Sequence, residues 1–213
     1  MGSNRLVNTA SQRLRVKRAC AWLWLAAATA FTGCASQENI RDAINDINKV
    51  FKEEYEAILA RNGTRTFNVS PGVAFDATNA ALVRMGMVVK QQSRGLGYLT
   101  AEAPAPQPLD RSDWDRAAAI DLPKAKDLLR RHVGLMAELF NFEPQGLDAV
   151  VTVTIIEARA GSDVSITIRL RETAPPKSGL PRREYPPPTA TQLGLDKLWA
   201  AIDRELTAAP RKP

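Results

Sequence analysis

Beyond position 34 the chain has no cysteine, and in all its 213 residues it has one histidine, His132. The first absence excludes disulfides and cysteine metal sites from the folded part. The second excludes a histidine-rich metal centre and a Cys/His nucleophile pair. No apolar run is long enough to cross a bilayer, which takes about 20 residues in a helix. The N-terminal apolar run, Ala19 to Ala30, has twelve. A phosphate-binding glycine loop and a nucleophile elbow are also missing, and Gly95 and Gly97 form G-x-G with neither a third glycine nor a following helix. Positive charge is scarce where it would matter. Arg5, Arg13, Arg15, Lys17 and Arg18 account for five of the formal +6, and residues 1–33 hold no acid. The rest of the chain is near neutral, so the pI of about 9.6 is no argument for nucleic acid.

What is present at the N-terminus is a basic stretch, a short apolar core and then Phe31, Thr32, Gly33 and Cys34. Charge, apolar core and small residues in that order are the pattern of an export signal. The last four residues resemble the lipobox of bacterial lipoproteins, with Phe where Leu is usual. The resemblance implies cleavage before Cys34, acylation of that residue and attachment to a membrane. Ala35 follows, where an Asp would imply retention in the inner membrane, so the outer membrane, facing the periplasm, is implied for a cell with two membranes. Residues 1–33 are thus expected to be a signal peptide and 34–63 a lipidated cysteine with an anchoring or spacer helix. An α+β domain would span 64–208, with a tail at 209–213.

The helix is predicted from Gln37 to Arg61, capped by Ser36 and stopped at Asn62-Gly63. Ile40, Ala43, Ile44, Ile47, Phe51, Tyr55 and Ile58 recur at three- and four-residue spacing and give it one apolar stripe. Its own domain or a partner helix could cover that stripe. Further on, alternation and turn residues predict strands at Thr64–Val69, Met87–Gln92 and Tyr98–Glu102, with a helix over Val73–Met85. Ala103 to Asp113 reads as a loop and Leu122 to Phe142 as a helix whose apolar face includes Leu128, Leu129, Val133, Leu135, Met136 and Leu139. Ala149–Ala158 and Asp163–Glu172 read as a hairpin around Arg159-Ala160-Gly161-Ser162. Six prolines make 173–188 an extended, exposed loop. A last helix from Thr189 to about Leu206 puts Leu195, Leu198, Trp199, Ile202 and Leu206 on one side.

The expected fold is therefore α+β: an antiparallel sheet of about five strands packed on one side by helices, preceded by an amphipathic helix. From Phe67 to Thr100 the order strand, helix ending in Met85-Gly86-Met87, strand, turn through Arg94-Gly95-Leu96-Gly97, strand resembles small envelope lipoprotein domains. With the later hairpin and a closing helix carrying Trp199, the chain resembles the helix-grip domains of the C component of the outer-membrane β-barrel assembly machinery. Leu122 to Phe142 is an extra helix against that scheme. The resemblance implies a non-enzymatic protein.

Few residues offer chemistry. Asp110, Asp113 and Asp115 form the densest acidic group, but lack the run of oxygen ligands, the glycine and the distant Glu of a calcium loop, so helix capping accounts for them. Trp114 beside them reads as a loop tryptophan folded on the core, and His132, between Arg131 and Val133, as a boundary residue. No cofactor, metal or nucleic acid is expected. The function expected is that of a non-catalytic lipoprotein contacting envelope proteins through the Ile40–Ile58 stripe and the Pro-rich loop. The alternative is a carrier holding a lipid or other apolar molecule in a cavity lined by Leu195, Trp199 and Ile202.

Overall fold

The computed structural model describes residues 36–174, 181–182 and 184–208. Four helices and five strands alternate along this part of the chain. They are α1 (Gln37–Asn62), β1 (Thr64–Phe67), α2 (Pro71–Arg84), β2 (Val88–Ser93), β3 (Tyr98–Pro104), α3 (Arg111–Val133), β4 (Leu147–Ala158), β5 (Gly161–Glu172) and α4 (Pro188–Ala208), with a 3₁₀ segment at Gly134–Leu139 after α3. The strands form one antiparallel sheet in the order β1-β5-β4-β3-β2. The α+β expectation holds, down to the strand number.

Period-two alternation sets the two faces of the sheet. Leu99, Ala101 and Ala103 on β3, Ala149, Val151, Val153 and Ile155 on β4, and Val164, Ile166 and Ile168 on β5 all point inward and are buried. All of them but Ala149 share one core with Ala74, Phe75, Ala81 and Leu82 of α2 and with Leu195, Leu198, Trp199, Ala201 and Ile202 of α4. The other face is half-buried or exposed. A row of threonines, Thr100, Thr152 and Thr167, crosses its centre in register. An antiparallel sheet with one packed face and one wet face reads in just this alternating way.

Helix α1 is part of this domain, since it belongs to the same compact unit as the sheet. Its stripe is covered from within: Ala43 shares an apolar cluster with Leu129 and Ala137, and Phe51 lies 5.7 Å from the Phe142 ring. Tyr55 meets Tyr185 edge-on at 5.3 Å, and Ile58 enters the main core. Burying Phe51 and Ile58 contributes about 2 kcal/mol each. The exposed pairs Arg41–Glu38 and Lys52–Glu56 add at most about 0.5 kcal/mol each. Packing therefore decides where α1 goes, and the stripe is not a free contact surface. Lys124 meets Glu54, and eight residues along α3 His132 meets Asp46, eight residues back along α1, so the two helices run antiparallel. This arrangement brings the start of α1 to the end of α3.

Three expectations need correction. The expected loop ends early and the expected helix starts eleven residues sooner, at Arg111 and not Leu122: the Asp110 carboxylate accepts from the Asp113 backbone N–H at 2.8 Å and caps α3 there. The same helix ends at Gly134, whose φ of 55° lies in the left-handed region, so Leu135, Met136 and Leu139 sit on the 3₁₀ segment and face solvent. They are not a core face. In the Pro-rich stretch, Pro186, Pro187 and Pro188 are buried, because Tyr185 docks on Tyr55 and Pro188 opens α4 at the helix position that tolerates proline best. Residues 175–180 and Arg183 of that stretch lie outside the described residues, as do 1–33, expected as a signal peptide, Cys34 and the tail.

Candidate functional site

The acidic group of the sequence is dispersed by the start of α3. Asp110 caps the helix and also accepts from Ser112 Oγ at 2.9 Å; the Asp113 N–H above all holds its carboxyl well below the usual range. Asp113 pairs with Arg116 and Lys197, and Asp115 accepts from Arg111 Nε at 2.8 and 3.0 Å. Lys197 reaches Asp110 as well, at 3.3 Å, so the three acids are spent on capping and ion pairs, and among the described residues no three His, Cys, Asp or Glu converge as metal ligands. His132 is half-buried and its Nε2 lies 2.8 Å from Asp46 Oδ2, which ties α3 to α1. Trp114 is buried, as expected, on the first turn of α3, and its Nε1 donates to the Phe142 carbonyl at 2.9 Å.

One acid that the sequence did not single out is buried. Asp121 accepts from the Thr189 N–H at 2.8 Å and from its Oγ1 at 2.9 Å, so it holds the start of α4. Burial pushes its carboxyl above the usual range. Asp121 works as a clamp between α3 and α4.

Leu195, Trp199 and Ile202 are packed in the main core, and Trp199 Nε1 donates to the Asn62 carbonyl at 2.8 Å. A cavity of about 20 Å³ lies nearby between Pro106, Pro108, Trp114, Ile168, Pro186 and Gly194. That is room for a water and not for an acyl chain.

Two surfaces remain. The first is the outer face of the sheet. Arg171 there donates to both carboxylate oxygens of Glu102 at 2.6 and 2.7 Å and to Asp148 at 3.1 Å, joining β5 to β3 and β4. Thr66 Oγ1 donates to Asp163 at 2.6 Å, and the Thr64 and Ser165 hydroxyls share a bond of 2.9 Å. Alternation could have found this face, because every one of these residues lies on the polar phase of its strand. The second surface is the apolar cluster of the 3₁₀ segment. The signal for it was Gly134, a helix stop in the middle of the expected helix.

The Glu102–Arg171 pair makes a pH prediction. Arg171 holds the Glu102 carboxyl below its ordinary value of 4.5. The unfolded chain therefore takes up this proton at higher pH than the fold does. The stabilisation is fully present above the ordinary value and is lost as pH falls through the lowered one. Arg171 is about half exposed, so screening limits the pair to about 0.5–1 kcal/mol. Urea titrations at pH 7 and pH 3 check this: Arg171→Ala should narrow the gap between the two midpoints. An unchanged gap would remove the pair from the account.

No described helix is long and apolar enough to cross a membrane. Comparison with known proteins yields no match to a family model, to a curated protein or to a solved structure.

Proposed function

We propose that this protein is a non-catalytic lipoprotein of the bacterial envelope, acylated at Cys34, held at the periplasmic side of the outer membrane and acting through contacts with other envelope proteins. The observation that carries the reading is the leader. Basic residues, a twelve-residue apolar core and Phe31-Thr32-Gly33-Cys34 come three residues ahead of the first helix of a compact domain. Two or more acyl chains anchor a protein firmly, at about 0.8 kcal/mol per buried methylene, where a single chain is marginal. The outer sheet face is the surface for partners, because its Thr, Ser and Gln side chains present hydrogen-bonding groups on a rigid backbone. The buried stripe of α1 has no part in it.

The carrier reading has less support. The three residues named for its cavity are packed in the core, and the cavity beside them is water-sized.

Cys34→Ala tests the proposal. Cells expressing the native chain should yield the domain in the outer-membrane fraction with acyl mass on its N-terminal peptide. The variant should lose both the mass and that location, and envelope proteins cross-linked to the native chain should no longer be captured. A native protein without acyl mass, or a variant that fractionates unchanged, would sink the reading.

A further inference from the structure

Leu135, Met136 and Leu139 are 83%, 54% and 78% exposed. Three large apolar side chains on six residues of chain are costly to leave in water, and the segment that carries them is rigidly held. Ala137 between them is buried against Ala43 and Leu129, and Glu138 accepts from Arg130 and Lys126 of α3. The antiparallel run of α1 and α3 sets this segment beside the first turns of α1, where Ile40 is also exposed. Cys34 precedes the first residue of α1 by three residues, a reach of about 10 Å even when fully extended. An acyl group on Cys34 thus brings the bilayer to the same end of the domain as the apolar cluster.

We infer that Leu135, Met136 and Leu139 insert into the bilayer surface beside the acylated Cys34, and so fix the orientation of the domain on the membrane. The inference rests on the lipoprotein reading. The partner is the apolar layer of the bilayer and not an anionic headgroup, because the charges around the cluster leave no excess of cations: Arg41, Lys126, Arg130 and Arg131 stand among the five acids Glu38, Asp42, Asp46, Asp127 and Glu138. The short tether makes a small patch sufficient, since it holds the patch at the surface at high local concentration. With the 3₁₀ segment against the membrane, the outer face of the sheet keeps one fixed presentation to its partners.

The side chain of Met136 reports on this directly, because thioether oxidation by peroxide follows exposure. The full acylated protein is reconstituted in phosphatidylcholine vesicles and, separately, in phosphatidylethanolamine with phosphatidylglycerol, at one copy per vesicle or fewer. Met85, half-buried at the end of α2, serves as the internal reference. Met136 should oxidise about fivefold or more slowly than in the Leu135→Glu/Leu139→Glu variant, equally in both lipids. Leu96→Glu, at an exposed apolar residue on the β2–β3 turn, should leave that protection intact. Acylated protein whose Met136 oxidises as fast as in the double variant overturns the docking and leaves the anchor standing. Protection that appears only at several copies per vesicle overturns it in favour of a second copy of the chain. An N-terminal peptide without acyl mass overturns the lipoprotein reading itself, and the docking with it.

Discussion

Trp199→Ala is expected to lower the stability of the domain by about 4 kcal/mol, the usual cost of emptying a core tryptophan site. The side chain is fully buried in α4 and fills the space between the sheet and the helix. Its ring packs against Phe67 at a centroid distance of 6.1 Å, and the Arg65 guanidinium lies 5.0 Å above it. Its Nε1–H also satisfies the Asn62 carbonyl at the end of α1, so alanine leaves that acceptor unpaired as well as a cavity. For a domain of this size the midpoint of thermal unfolding should fall by about 10 °C. Trp199→Phe separates the two contributions: most of the volume stays and the hydrogen bond goes, at about 1–2 kcal/mol. Urea denaturation of both variants measures the difference. An alanine variant that loses less than about 1 kcal/mol would mean that the core does not close on this residue.

Gly97→Ala should be nearly as damaging, for a reason that lies in the backbone. Gly97 adopts φ +61° at the end of the β2–β3 turn, and an added Cβ would sit 1.9 Å from the Ile155 carbonyl oxygen. The backbone there cannot yield cheaply, because the Ile155 N–H donates to the Gly97 carbonyl at 2.7 Å. Alanine must either break that bond or part β3 from β4, at about 3 kcal/mol. Two residues earlier, Gly95 has open space around it, so Gly95→Ala should change stability by less than about 0.5 kcal/mol. Hydrogen exchange reads the contrast. The Ile155 amide should lose its protection in the first variant and keep it in the second. Equal behaviour of the two would show that the turn adapts and that the close approach is not needed.

These two residues also mark the boundary of what could be read from the chain. Trp199 was legible because Leu195, Leu198, Trp199 and Ile202 repeat at helical spacing, and the β4–β5 hairpin because Val, Ile and Thr alternate on both sides of a two-residue loop. Local periodicity reports burial well where one element faces one core. It failed where the deciding partner is distant in sequence. The stripe of α1 could be seen, but its cover comes from α3, Phe142 and Tyr185, some 80 to 130 residues away. The start of α3 was lost to composition: Pro108, Asp110, Ser112 and Asp113 look like a loop, yet a cap and its first turn use the same residues. Pro123, a residue type that favours the first turn of a helix, stands inside α3 with its ring exposed. Of the candidate sites, the acids dissolved into caps and pairs. The two surfaces that remained could not be read as surfaces until the helices were placed.

The register of β1 has a consequence for crowding. β1 pairs with β5 only from Ser162 to Ser165, which leaves most of the outer edge of β5 beyond it. The edge is closed by other means: the Ile166 N–H donates to the Gly63 carbonyl, the Leu170 N–H donates to the Glu184 carbonyl, and Tyr55 lies alongside between them. At the opposite edge, the register of β2 slips at Lys90, placing a charge where a new strand would need a straight ladder. Neither margin offers a continuous template for strand addition. If the proposed anchor holds copies close together in a plane, they can therefore collide often without fusing into an extended sheet.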